Sequence, residues 1–161
     1  MGKNPYGYSG MGDLFVFLFF GLVGVIGTYY LYTKTLNLAL ILPAFTIGLL
    51  SSAVLNMNNM RDIENDRACN KNTLVVKIGF NKAKYYHTFL IIGALISLIL
   101  TIITFKLPSI AFIALIPFIL LIKNIRTTWK TTTNSELDPE LKKIALSTFF
   151  ISLLIAISTI A

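Results

Sequence analysis

The sequence predicts an all-α protein, a polytopic bundle of about five transmembrane helices that forms a single membrane domain over residues 1–161. The composition is 55% hydrophobic with a mean hydropathy of +0.75, and a soluble domain of this length cannot bury that much apolar side chain. The apolar residues are also gathered into five runs that approach the ~20 residues needed to cross a bilayer. Lipid is therefore the expected solvent for most of the surface.

The five apolar runs cover residues 14–31, 38–55, 89–105, 110–122 and 144–161. The first is too long for the apolar part of a signal peptide, and no small-residue cleavage site follows it, so we expect a span and no cleaved leader. The fourth is the shortest, and we expect Pro117 to kink it because proline removes a backbone hydrogen bond.

The charged residues predict the orientation of these spans. If five helices cross alternately, all of the 14 Lys and Arg residues except Lys34 and Lys106 fall on one side, together with the seven acidic residues. The positive-inside rule makes that side cytoplasmic. We therefore expect residues 56–85 on the cytoplasmic side of the membrane. Short charge clusters between apolar runs also argue against a nucleic-acid partner, which would require a basic face.

The polar stretch "NMNNMRDIENDRACNKNT", residues 56–73, follows the second apolar run. Asp62 and Asp66 are four residues apart, so on a helix they share a face one turn apart. Two carboxylates this close repel each other unless a cation lies between them, and Mg²⁺ prefers such oxygen ligands together with substrate phosphates. Asn58 and Asn59 lie close enough to add an amide. The surrounding cations, suited to phosphate oxygens, are Arg61, Arg67, Lys71 and Lys77.

Other interpretations of this stretch are a solvated loop of mixed charge or a different metal site. An EF-hand loop counted from Asp62 would need Gly and Glu where Arg67 and Thr73 stand, so it is excluded. The aspartate-rich signature of CDP-alcohol phosphotransferases needs further Asp and Gly residues that are absent. The residues alone therefore favour a metal–diphosphate site while leaving the solvated loop open.

Residues 58–79, "NNMRDIENDRACNKNTLVVKIG", resemble the second aspartate-rich motif of the UbiA-type intramembrane aromatic prenyltransferases. The family pattern is met by Asn58, Asn59, Arg61, Asp62, Asp66, Lys71, Thr73, Leu74, Val76 and Gly79. Residues 5–31 and 137–146 resemble other parts of the family's C-terminal half. The residues of this motif are most similar to those of the branch that acts on 1,4-dihydroxy-2-naphthoate in menaquinone biosynthesis. Asn70 replaces a family glycine, and asparagine tolerates the left-handed backbone that a glycine permits.

The resemblance implies a Mg²⁺-dependent transfer of a polyprenyl group from polyprenyl diphosphate to dihydroxynaphthoate, without a side chain that acts as nucleophile. Asp62 and Asp66 would hold the metal, and Asn58 and Asn59 would support them. The diphosphate would be bound by Arg61, Lys71, Arg67 and Lys77. The apolar helices would line a groove for the isoprenoid tail in the bilayer, and the resemblance implies that this bilayer is the bacterial inner membrane.

The family's bundle has about nine helices and two aspartate-rich motifs, and the first motif is absent from this sequence. We therefore expect the chain to correspond to the C-terminal half, from a split or truncated reading frame or a partial sequence. We also expect it to be inactive without an N-terminal half. Two alternatives stay open. One is a UbiA-type enzyme with another aromatic acceptor, and the other is a non-enzymatic membrane fragment or accessory subunit.

Three further residues have simpler expected roles. His87, the single histidine, is expected to lie at the membrane interface. Asp138 in "LDPELKK" is expected to cap the N-terminus of a helix that begins at Pro139. Cys69, the single cysteine, excludes an intrachain disulfide.

Overall fold

The computed structural model describes residues 8–160, and these residues form helices joined by loops and turns, with no strand among them. Within residues 8–160, five helices are long and apolar enough to cross a membrane, as predicted: α1 (Gly12–Thr33), α2 (Leu38–Arg61), α5 (Phe80–Thr104), α6 (Ser109–Lys130) and α7 (Asp138–Ser158). Two short helices, α3 (Ile63–Ala68) and α4 (Leu74–Ile78), lie between α2 and α5. The long helices have 21 to 25 residues, so at ~1.5 Å per residue each spans the ~30 Å hydrocarbon layer. The chain is therefore an all-α integral membrane protein.

Several helices extend beyond the predicted apolar runs. Helix α2 continues to Arg61 and α5 begins at Phe80, because polar residues end an apolar run without breaking a helix. Lys84, in the first turns of α5, is 7% exposed, and its Nζ donates to the Thr131 carbonyl oxygen at 2.7 Å. Hydropathy alone did not predict this polar extension, because the partner lies on a different element.

Helix α1 lies at the edge of the bundle and packs closely on α2. Its central part, Phe17–Gly27, is π-helical. A Cβ at Gly21 would lie 2.7 Å from the Ala44 carbonyl oxygen and 2.8 Å from the Gly48 Cα. The two backbones touch because both helices present glycine there, which is the usual means of close helix packing in membranes.

Proline divides α6 into two helical forms. Ser109–Leu115 is a 3₁₀ helix, and the α-helical part begins at Pro117. Proline is compatible with the first turn of an α-helix, where its missing N–H has no intrahelical partner. The predicted irregularity at Pro117 therefore takes the form of a change of helix type.

Helix α2 is the centre of the bundle and packs on α1, α5 and α7. The core includes Leu50, Met57, Ile91, Leu98, Leu121 and Ile151. The apolar window of α1 is only 6% buried inside the bundle, against 44% for α5. A large apolar face of α1 is therefore available to lipid or to other protein.

Three connecting regions meet at one end of the bundle. If the five helices cross the membrane alternately, these are the regions predicted to lie on the same side. Lys77 Nζ donates to the Ser9 carbonyl oxygen, and Arg61 Nη1 donates to Asp138 Oδ1. These contacts join the segment before α1, the α2–α5 connection and the α6–α7 connection. Lys34 and Lys106 lie in the loops that follow α1 and α5, at the opposite end. Lys3, expected on the cytoplasmic side, and Ala161, the last residue of the fifth apolar run, lie outside the described residues.

Candidate functional site

The motif folds as a helix end followed by two short helices. Asp62, with φ −96° and ψ 10°, joins α2 to α3. The Asp66 N–H donates to the Asp62 carbonyl oxygen at 2.8 Å, so the two aspartates are one turn apart as expected. Asn70 has a φ of +54°, which places it in the left-handed region expected for an asparagine in place of glycine. The hydroxyl of Thr73 then caps α4 by accepting from the Val76 N–H at 3.3 Å.

Arg61 joins three acceptors through one guanidinium group. Its Nε and Nη2 donate to the two carboxylate oxygens of Asp62 at 2.8 and 2.9 Å. Nη2 also donates to Asn58 Oδ1, and Nη1 donates to Asp138 Oδ1, both at 2.9 Å. The planar fork of arginine makes such bidentate pairing with a carboxylate possible, and a phosphate offers the same geometry.

Asp62 is ionised by this environment. The hydrogen bonds from Arg61 lower the pKa of the Asp62 carboxyl below its usual range, and the charge of Lys71 adds a smaller effect in the same direction. Metal ligands must be deprotonated to bind. Asp62 therefore carries the charge that a cation requires at neutral pH.

Asp66 lies in the interior, on the other side of the motif from the Arg61 contacts. It is 3% exposed, and its Oδ1 accepts from Lys71 Nζ at 3.0 Å. Its Oδ2 is buried without a hydrogen-bond partner within the part of the chain that the structure describes. Asp62 and Asp66 thus each have a different basic partner, and one buried carboxylate oxygen of the pair stays open for a donor or a cation.

The other expected site residues are distributed more widely than the sequence suggested. Asn59 is 3% exposed and lines a small cavity beside Lys71. Arg67 is exposed, and no ion pair among residues 8–160 includes it. Lys77 donates to a backbone carbonyl before α1 and contacts neither aspartate of the motif. Of the four expected cations, the structure brings Arg61 and Lys71 to the carboxylates.

A polar cleft of about 810 Å³ opens beside Arg61. Its walls are Arg61, Asp62, Glu64 and Asn65 on the motif side, and Thr132, Thr133, Asn134 and Asp138 on the α6–α7 side. Asp138 is part of this site, and its expected role as a helix cap was wrong: the cap position is Leu137, and α7 has no side-chain cap bond. No local pattern indicated the Asp138–Arg61 contact, because 77 residues separate the two.

The donor set fits a hard divalent cation. No group of three or more His, Cys, Asp or Glu side chains that could hold a metal occurs within residues 8–160. The oxygen ligands that Mg²⁺ takes alongside waters and phosphates are nevertheless present. They come from two motif carboxylates and two nearby amides, and one carboxylate has a buried oxygen without a partner among the described residues. One or two carboxylates are sufficient for such a site.

A buried polar network fixes the start of α7, and with it the cleft wall. His87 is fully buried, and its Nε2 lies 2.9 Å from Asn124 Oδ1. Asn124 Nδ2 donates to Glu140 Oε2 at 2.8 Å, and Glu140 also accepts from Lys143 Nζ. Because the amide nitrogen of Asn124 is directed to Glu140, the His87 Nε2 must donate. His87 therefore joins α5 to α6 inside the bundle. Its expected depth at the membrane interface stays a prediction.

An apolar groove of about 370 Å³ lies at the opposite end of the bundle. Its lining includes Val25, Pro43, Leu98, Phe105, Ile151 and Ile155. No charged side chain lines it, and it lies most of the length of α2 away from Arg61. It is not part of the charged site.

Residues 4–157 match the UbiA prenyltransferase family. The chain belongs to this family. The match covers the whole described site, from Asn58 to Lys143.

Two bacterial relatives are both named 1,4-dihydroxy-2-naphthoate octaprenyltransferase. The protein of Haemophilus influenzae is 42% identical over 159 residues, which are 98% of this chain and 51% of the relative. The protein of Escherichia coli is 53% identical over 100 residues, which are 62% of this chain and 32% of the relative. In the same family, a mouse protein named UbiA prenyltransferase domain-containing protein 1 is 32% identical over 100 residues. This UbiA-family chain thus spans about half the length of the H. influenzae relative, and no solved structure matches it.

Proposed function

We propose that the chain provides one half of the active site of a prenyltransferase that transfers a polyprenyl group from polyprenyl diphosphate to 1,4-dihydroxy-2-naphthoate, in menaquinone biosynthesis. The observation that carries this proposal is the pairing of Arg61 with Asp62, and of Lys71 with Asp66, beside a polar cleft at one end of membrane helices. The names of the bacterial relatives support the choice of substrates. The single membrane domain, residues 1–161, would act together with a half that carries the first motif.

In this proposal, Asp62 and Asp66 hold Mg²⁺, and Asn58 and Asn59 support the metal site. Bound Mg²⁺ would neutralise charge on the diphosphate and so favour its departure. Arg61 and Lys71 bind the diphosphate oxygens, with Arg67 and Lys77 as outer cations that attract the substrate. No side chain acts as a nucleophile.

The Arg61 contacts suggest how the motif responds to substrate. Both Asp62 oxygens are occupied by the guanidinium group, so Asp62 can bind a cation only if Arg61 turns away. A diphosphate in the adjoining cleft offers Arg61 an equivalent pair of oxygens. Substrate binding would therefore transfer Arg61 from carboxylate to phosphate and release Asp62 for the metal.

The prenyl transfer requires no protein-bound intermediate. The allylic C–O bond breaks, and its electron pair leaves with pyrophosphate. A ring carbon of the acceptor supplies the pair for the new C–C bond. The bonding pair of the acceptor's carboxylate returns to the ring as carbon dioxide departs. The protein's part is to orient both substrates and to stabilise the negative charge of the leaving group.

The site is proposed to lie on the cytoplasmic side of the bacterial inner membrane. The basic residues cluster at the end of the bundle that carries Arg61 and Lys71, which is the cytoplasmic end by the positive-inside rule. A polyprenyl diphosphate would place its charged end there and its tail along the apolar helices.

A hybrid enzyme tests the proposal. The segment of the H. influenzae relative that matches this chain is replaced by residues 1–161, and octaprenyl transfer to dihydroxynaphthoate is measured in membranes. We expect transfer by the hybrid and none by the 161-residue chain alone. Asp62→Asn should raise the Mg²⁺ requirement and lower turnover by about 10- to 100-fold, as loss of a metal-site group does.

A matched control distinguishes loss of a site carboxylate from loss of a surface charge. Glu136→Gln removes an exposed carboxylate at the same end of the bundle and should leave turnover unchanged. Transfer to hydroxybenzoate in preference to dihydroxynaphthoate would refute the proposed acceptor. A hybrid that inserts normally but transfers nothing to any aromatic acceptor would refute the proposed function.

A further inference from the structure

Asp13, the second residue of α1, is a buried carboxylate outside the aspartate-rich motif. It is 5% exposed, and its Oδ1 has no hydrogen-bond partner in the described part of the chain. None of the ion pairs found within residues 8–160 includes it. A buried acceptor left unpaired is unfavourable, and more so when it is charged. The position therefore requires a donor or a cation.

A small cavity of about 110 Å³ provides the space for such a partner. It is lined by Gly12 and Asp13 of α1, by Leu55, Asn58 and Asn59 of α2, and by Lys71, Thr73 and Leu74. One water takes about 30 Å³ of liquid volume, so the cavity holds three or four water-sized groups. Organic ligands need about 300–1,000 Å³. The occupant is therefore a small ion with its waters, or water alone.

The cavity wall favours a cation over an anion. Asp13 brings a carboxyl group, and Asn58 and Asn59 bring carboxamide groups, so the wall offers hard oxygen ligands. Of these, Asn58 Oδ1 also accepts from Arg61 Nη2. Lys71 also faces the cavity, but its Nζ is paired with Asp66 Oδ1 at 3.0 Å. The charge of Asp13 is therefore not balanced by Lys71 in this arrangement.

The backbone at the start of α1 is held in place by two contacts. Ser52 Oγ donates to the Asp13 carbonyl oxygen at 3.3 Å, which fastens the start of α1 to α2. Asn72 N donates to the Tyr8 carbonyl oxygen at 3.2 Å, which fastens the preceding segment to the loop after the motif. Metal sites depend on such fixed ligands because a preorganised carboxylate loses little freedom on binding.

We propose that Asp13 is a ligand for a partly hydrated divalent cation in this cavity, so that α1 contributes a third carboxylate to the cation-binding region. The inference rests on the proposed function, because the cavity adjoins the motif that is proposed to hold Mg²⁺. Asn58 and Asn59 form the wall that this ion shares with the motif. The sequence pattern did not indicate this role, because Asp13 lies 49 positions before Asp62.

Binding of Mn²⁺ tests the inference without turnover, because Mn²⁺ prefers the same oxygen ligands as Mg²⁺ and its free form is visible by electron paramagnetic resonance. The intact 161-residue chain is reconstituted in phospholipid nanodiscs without a prenyl substrate, and Mn²⁺ is titrated. Asp13→Asn keeps the side-chain shape and should raise the Kd at least about tenfold. Glu136→Gln is the control for loss of one exposed charge and should change the Kd less than about twofold.

Asp13→Glu guards against loss of folding, because it retains the carboxylate and moves it by one methylene. We expect a Kd between those of the native chain and Asp13→Asn. Native affinity in both Asp13 variants, with weakened binding in Asp66→Asn, would overturn the role of Asp13 and leave the proposed function intact. Absence of Mn²⁺ binding by the native chain would also overturn the inference, while the hybrid transfer assay would still decide the proposed function separately.

Discussion

Replacing Arg61 with lysine keeps the positive charge but removes the geometry on which the site depends. Arg61 makes four hydrogen bonds to Asp62, Asn58 and Asp138, all between 2.8 and 2.9 Å. A lysine has a single nitrogen and cannot reach three separate acceptors, so we expect it to keep one contact with Asp62. The second Asp62 contact and the Asn58 contact would be lost together with the link to Asp138.

The magnitude follows from the exposure of each partner. The Asp138 side chain is 72% exposed, so its contact contributes at most about 0.5 kcal/mol. The lost contacts to Asp62 and Asn58 each contribute about 0.5–1.5 kcal/mol. We therefore expect Arg61→Lys to lower the free energy of unfolding by about 2 kcal/mol. For a chain of this size, that corresponds to a decrease in Tm of about 4–8 °C.

Thermal unfolding of the chain in nanodiscs, followed by circular dichroism, measures this difference. Arg67→Lys is the matched control, because Arg67 lies in the same motif but is exposed and makes no ion pair with the described residues. Its Tm should change little, since surface substitutions lie within about 0.5 kcal/mol. Equal Tm values for the two variants would refute the view that the bidentate contact stabilises this end of the bundle.

The pH dependence provides a second measurement of the same contact. Because Arg61 lowers the pKa of Asp62 in the folded chain, the stabilisation is present above the unfolded carboxyl pKa of about 3.9 and is lost as the pH falls through the lower folded value. The difference in Tm between the native chain and Arg61→Lys should therefore be full at pH 7 and shrink below about pH 4. A difference that is independent of pH would show that packing, and not the charge of Asp62, is responsible.

Three further substitutions test the surrounding structure. Gly21→Ala should destabilise the α1–α2 contact by about 1–3 kcal/mol, because its Cβ would meet the backbone of Gly48 at 2.8 Å; a normal Tm would contradict that close approach. Asn124→Leu should lower the Tm more than Thr132→Ala in the cleft, because it removes the donor to the buried Glu140 Oε2 and the acceptor of the buried His87 Nε2. Asn70→Val should destabilise by about 1–2 kcal/mol at its φ of +54°, and Asn70→Gly should not. Similar unfolding temperatures for both Asn70 variants would exclude a backbone effect.

The sequence alone determined the number of spans, their alternation and the chemical character of the charged end. Apolar run length sets how many helices can cross a bilayer, and the basic residues between the runs indicate which ends lie together. The left-handed backbone at Asn70 was also predictable, because few residues other than glycine adopt it readily. These properties depend on composition and on neighbours in the chain, which a sequence displays directly.

The tertiary structure decided which polar groups meet. The pairing of Arg61 with Asp138, the burial of His87 against Asn124, and the position of Asp13 beside Asn59 each join separate helices. A local pattern cannot predict such contacts, because the face that a helix buries depends on the rotation and depth of its neighbours in the bundle. Asp62 and Asp66 show the same limit within one motif: their spacing predicted a shared turn, whereas packing directed one carboxylate to Arg61 and the other to Lys71.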